Sequence, residues 1–104
     1  MTTIDALTEQ AQPYIQRICQ EFGVTRDALL GDSRCAAVSG PRKMLMAILR
    51  SKGWQLNKIG NYVGNRHPTT VVYAIKDVQA RMDNNQALQD SYNRVTLGNN
   101  APDE

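Results

Sequence analysis

Five apolar residues, Val71, Ala74, Ile75, Val78 and Met82, recur at spacings of three and four. Only an α-helix with one buried stripe brings such positions together. At about 100° per residue, Thr69, Tyr73, Lys76 and Ala80 point the opposite way, with Thr70 and Asp77 flanking them. Pro68 suits the first turn, where its missing N–H would have been unpaired anyway. The stripe therefore predicts a helix from about 68 to 82. A shorter helix is expected from about 55 to 63, with Leu56, Ile59 and Val63 on one face. The tight turn Gly64-Asn65-Arg66 joins the two. Short helix, glycine-bearing turn and longer helix form the layout of a helix-turn-helix.

The rest of the chain also reads as helix. Few β-branched runs alternate with period two, and no hairpin dipeptide sits between such runs. A first helical region covers about Ile4 to Phe22, with Pro13 dividing it by opening a second segment. In that segment Tyr14, Ile15, Ile18, Cys19 and Phe22 form an amphipathic stripe, and Gly23 ends it. Thr25 to Leu30 is one short helix: Thr25 caps it, Asp27 favours its first turn and Gly31 stops it. A loop, Asp32 to Ser39, leads to a helix from about Gly40 to Lys52, with Ser39 as cap and Pro41 near its first position. A weaker helix covers about Gln86 to Val95. The expectation is an all-α, compact helical domain over residues 1–96, followed by a disordered tail over 97–104.

Overall charge, at +2, says little, but its distribution says more. From Arg34 to Arg81 there are nine basic residues and one acid, Asp77, a net +8; the remainder carries −6. So steep a partition within one small domain is the footprint of a polyanionic partner. No stretch approaches the roughly 20 apolar residues of a membrane span. The N-terminus lacks the pattern of a signal peptide, so a cytoplasmic location is expected. Two cysteines, Cys19 and Cys35, cannot make a four-ligand zinc site, and the single histidine adds little. They read as small hydrophobes in a reducing compartment. No nucleophile–base motif, no metal cluster and no G-x-x-x-x-G-K-[ST] occurs, so no enzyme and no cofactor is expected.

Candidate binding residues follow from the helix faces. Threonine hydroxyls at the start of the 68–82 helix can bond base edges or phosphates, and their methyls can touch thymine methyls. The helix N-terminus adds N–H groups and a positive dipole. In the 40–52 helix, Arg42, Lys43, Met46 and Arg50 fall within one arc, with Leu45 and Ile48 on the other side. Cations so clustered suit a phosphate backbone. A loop arginine such as Arg34 can reach into a narrow minor groove. Trp54 reads as a core or hinge anchor.

These segments together resemble a known family. Phe22 to Arg34, F-G-V-T-R-D-A-L-L-G-D-S-R, is similar to the start of the C-terminal, box-binding domain of the bacterial replication initiator DnaA. Pro41-Arg42-Lys43-Met44 to Arg50 resembles that family's basic helix. Leu56 to Val71 is similar to its signature, and Tyr73-Ala74-Ile75-Lys76 to the continuation. The resemblance spans about Tyr14 to Met82. It implies an all-α fold of the DnaA C-terminal or Trp-repressor-like kind, and sequence-specific binding of double-stranded DNA. By position it implies that Arg34 enters the minor groove and that Arg42 and Lys43 contact backbone and bases. Arg50 then touches the backbone, Arg66 is the arginine of the signature turn, and Thr69 and Thr70 sit at the reading end. Tyr73, Lys76 and His67 complete the expected DNA-binding set.

Three positions depart from the family pattern. His67-Pro68 stands where the family has Asp-His, a pair that helps to read bases. Pro68 has no polar side-chain atom, while His67 can donate or accept. Asn65 replaces the second glycine of the turn and tolerates a positive φ better than most residues. The expected role is regulation of replication initiation or transcription at DnaA-box-like sites, near the nucleoid, as a monomer or weak dimer. A bacterial or mobile-element origin of replication fits a detached domain of this kind. DnaA or other replication proteins are candidate partners, and no membrane is. The alternative is a protein-interaction module that keeps the fold without DNA specificity.

Overall fold

A computed structural model describes residues 3–31 and 36–97, with side chains over 11–31 and 37–96. Its described residues form six helices: α1 (Thr3–Phe22), α2 (Arg26–Leu30), α3 (Ala36–Ser51), α4 (Leu56–Tyr62), α5 (Pro68–Asp83) and α6 (Gln86–Leu97). Arg34, Cys35 and the tail beyond Leu97 lie outside the described residues.

Local chemistry explains most boundaries. Thr25 caps α2 by accepting from the Ala28 N–H at 3.1 Å, as the sequence predicts. Gly53 at φ 95° follows α3, and α5 opens on Pro68. The inward stripe of α5 is as expected: Val71, Ala74, Ile75, Val78 and Met82 are all buried. Trp54 is buried and meets Tyr62 edge to face, with ring centroids 5.6 Å apart, so it is the core anchor foreseen.

Two prolines behave differently from the expectation. Pro13 does not divide α1, which continues through it as one helix of 20 residues. Pro13 itself is exposed, the setting in which a proline inside a helix is best tolerated. Pro41 does not open α3 either. The helix starts one turn earlier, at Ala36, and that extra turn buries Val38.

The central element is α3. It packs against α1, α2, α4 and α5. Its residues Met44 to Leu49 are buried without interruption, the pattern of a helix enclosed on all sides. This corrects the division into a cationic arc and an apolar arc: Met46 and Arg42 are both buried. The period places residues by angle, whereas burial depends on which neighbours surround the helix.

The last helix closes the bundle against the first. Val95 joins the core, and Arg17 donates Nη1 to the Val95 carbonyl at 3.0 Å. Glu21 accepts from Ser91 Oγ at 2.9 Å and from Arg94 through both carboxylate oxygens. The Arg94 hydrogen bond holds the Glu21 carboxyl below its ordinary pKa, against the opposing effect of burial.

Candidate nucleic-acid interface

The turn between α4 and α5 is fixed by backbone approach. Gly60 is buried in α4, and its carbonyl accepts from the Arg66 N–H at 2.7 Å. A Cβ at Gly60 would run into the Arg66 carbonyl oxygen, so no larger residue fits without moving the turn. Gly64 has φ 84°, and a Cβ there would run into the Gly31 carbonyl oxygen. Asn65 follows at φ 59°, the conformation for which Asn is tolerated.

Arg66 stitches the same turn. Its Nε donates to the Val63 carbonyl at 3.0 Å and its Nη2 to the Gly31 carbonyl at 3.1 Å. The turn is thereby tied to the end of α2. The spacing Ile59-Gly60, Gly64 and Arg66 thus has a mechanical meaning: it sets the angle at which α5 leaves α4.

The first turn of α5 carries a cap that the sequence left open. His67 has extended φ and ψ, and its Nδ1 accepts from the Thr69 N–H at 3.1 Å. Pro68 has no N–H, and that of Thr69 is taken, so Thr70 contributes the remaining amide of the turn. The supply of helix-end N–H groups is therefore smaller than expected. Beyond the cap, Thr69, Thr70, Tyr73, Lys76 and Ala80 are exposed. Tyr73 is 68% exposed, against the buried stripe on the other side. The polar face read from the helical period is present as a surface.

The cations expected on α3 are distributed differently. Arg42 is only 4% exposed. Its Nε donates to the Leu29 carbonyl at 2.9 Å and its Nη2 to the Ala28 carbonyl at 2.7 Å. Both carbonyls lie in the last turn of α2, where helical partners run out; that of Ala28 also accepts from the Gly31 N–H at 3.4 Å. Lys43 is half-buried and pairs with Asp77 at 2.8 Å. Asp77 also receives Arg81 at 3.0 Å, and the Lys43 hydrogen bond comes first in holding its carboxyl below the ordinary range. Arg50 is exposed and donates Nη1 to the Trp54 carbonyl at 2.9 Å, across the end of α3. Lys52 lies over the Tyr14 ring at 5.6 Å, with Arg17 also near that ring at 5.7 Å.

The structure therefore brings together His67, as the cap of α5, and Thr69, Thr70, Tyr73 and Lys76 on α5 itself, and places Arg42 and Arg66 on carbonyls of the scaffold. Arg34 lies outside the described residues. Sequence reasoning passed over Asn57, Lys58 and Asn61, which are exposed on α4. Lys58 was visible as a cation off the Leu56–Ile59–Val63 face, within the basic stretch.

Among the described residues, no helix is long and apolar enough to cross a membrane. Cys19 is a half-buried free thiol whose pKa burial raises.

Comparison with known proteins gives this geometry a family. The bacterial dnaA protein helix-turn-helix matches residues 14–78. The chain is 42% identical over 62 residues to the chromosomal replication initiator protein DnaA of Synechococcus sp. (strain JA-2-3B'a(2-13)), covering 59% of this chain and 13% of that protein. Identity to the DnaA of Thermomicrobium roseum is 31% over 87 residues, covering 81% of this chain and 19% of that protein. The DnaA of Clavibacter michiganensis subsp. michiganensis is 40% identical over 76 residues, covering 72% of this chain and 15% of that protein. The chain thus spans less than a fifth of the length of these relatives. A helix-turn-helix with this turn, this buried stripe and this match belongs to the family of the bacterial DnaA helix-turn-helix domain.

Proposed function

We propose that this domain binds double-stranded DNA by laying α5 in the major groove, at sites of the DnaA-box kind, and there regulates replication initiation or transcription. The observation that carries this reading is the outward face of α5. Thr69, Thr70, Tyr73 and Lys76 are exposed on the second helix of a DnaA-family helix-turn-helix. Such a helix meets the groove with its N-terminal residues.

The contacts divide by chemistry. Thr69 and Thr70 offer hydroxyls and methyls to base edges. Lys76, Lys58 and Arg50 are exposed cations for phosphates. Lys43 joins them on exchanging Asp77 for a phosphate, and Arg34 enters the adjacent minor groove in keeping with the family pattern. Arg42 and Arg66 act one step back, holding α2 and the turn in place. DnaA and other replication proteins are the partners proposed at such a site, with the domain acting as a monomer or weak dimer on the nucleoid.

Fluorescence anisotropy with a box-bearing duplex and a scrambled duplex, over a salt series, tests the proposal. The box-bearing duplex should bind more tightly, and both affinities should fall steeply with salt. Absence of binding to either duplex at low salt would overturn it.

A further inference from the structure

The cap on α5 assigns a polarity to the residue at the reading end. The Thr69 N–H donates to Nδ1 of His67 at 3.1 Å. A nitrogen that accepts carries no proton, so the ring's N–H is on Nε2. His67 is exposed and directly precedes the first residue of α5. The side chain is thus locked by its own cap into presenting a hydrogen-bond donor. Pro68 beside it has no polar side-chain atom and no N–H, so it cannot offset or duplicate that donor.

Resting on the DNA-binding reading above, we propose that His67 is a specificity-determining residue that donates from Nε2 to the N7 acceptor of a purine in the major groove. Major-groove edges separate donors from acceptors: guanine shows N7 and O6, adenine N7 beside an N6 amino group, and cytosine an N4 amino group. A donor held at this position finds acceptors in purine N7, guanine O6 and thymine O4 and none on cytosine; N7, which both purines share, is the acceptor assigned to it. A carboxylate at the same position can cap the helix as well, but it offers only acceptors and reads the opposite polarity. The DNA site of this domain therefore differs from that of a relative with an acidic cap at the base pair His67 faces. The cap, not the helix face, makes the difference.

The test uses the full 104-residue chain and the duplex it selects from a random pool. Each purine of that duplex is replaced singly by its 7-deaza counterpart, which loses N7 and keeps Watson–Crick pairing. One position should weaken wild-type binding by roughly tenfold, the scale of one lost base contact. His67→Asp should remove the penalty at that position while circular dichroism stays unchanged, because Asp still caps. His67→Asn, which can cap through Oδ1 and donate through its amide, should keep part of the penalty. If no purine shows a 7-deaza penalty, or His67→Asp shows the same penalty as wild type, this inference fails alone. If the chain selects no duplex, the DNA-binding reading fails and this inference with it.

Discussion

Arg42 and Lys76 are both cations in the same basic stretch, yet their surroundings assign them opposite duties. Arg42 is buried on the last carbonyls of α2, whereas Lys76 stands exposed on α5. Truncating Arg42 removes its buried hydrogen bond to the Leu29 carbonyl and a second one to that of Ala28, at about 1–3 kcal/mol. Arg42→Ala should therefore lower the urea midpoint while leaving the salt slope of DNA binding unchanged. Lys76→Ala should do the reverse: stability holds, and the log–log salt slope becomes shallower by about 0.9, one phosphate contact. Gly60 supplies a third residue-scale prediction. A methyl group at Gly60 would overlap the Arg66 carbonyl, so Gly60→Ala should cost upwards of about 2 kcal/mol in thermal or urea unfolding. The sequence marked Gly60, Gly64 and Arg66 through their resemblance to a signature. Their close approaches join residues from distant parts of the chain, Gly31 among them, and no local pattern contains that.

At the scale of elements, helices with one apolar stripe were the legible ones. The faces of α5 follow from residue spacing alone, and α2 from its cap. Pro13 and Pro41 misled because proline marks a helix start only when nothing else favours continuation; burial of Val38 favours it at α3. The enclosure of α3 was illegible for a related reason. Periodicity ranks its sides, but α1, α2, α4 and α5 together cover both. Nor did the sequence announce the α1–α6 clasp, where Glu21 meets Ser91 and Arg94 some 70 residues away. The clasp has a pH signature. Glu21 has its pKa depressed by Arg94 first of all. Its contribution is therefore complete above the ordinary carboxylate pKa of about 4.3 and is lost as pH falls through the folded value. The Tm gap between wild type and Arg94→Met should be open at about pH 6 and close toward about pH 3. A gap independent of pH would contradict the clasp.

Over the whole molecule, the basic stretch with its net +8 maps onto more than one task. Part of it ties the helices together, part lies over Tyr14, and part remains on the surface of α4 and α5. Charge partition thus agrees with the polyanionic partner proposed above, although part of the charge it counts is engaged within the scaffold. The family match supplies the helix-turn-helix, and the proposed reading end of this domain turns on His67-Pro68. The most direct test of the account is anisotropy of wild type and Thr70→Ala on box-bearing and scrambled duplexes across a salt series. The account predicts steep salt dependence for both proteins, with Thr70→Ala losing about 1–3 kcal/mol on the box-bearing duplex and little on the scrambled one. Equal losses on the two duplexes, or wild-type affinity that does not respond to salt, would contradict it.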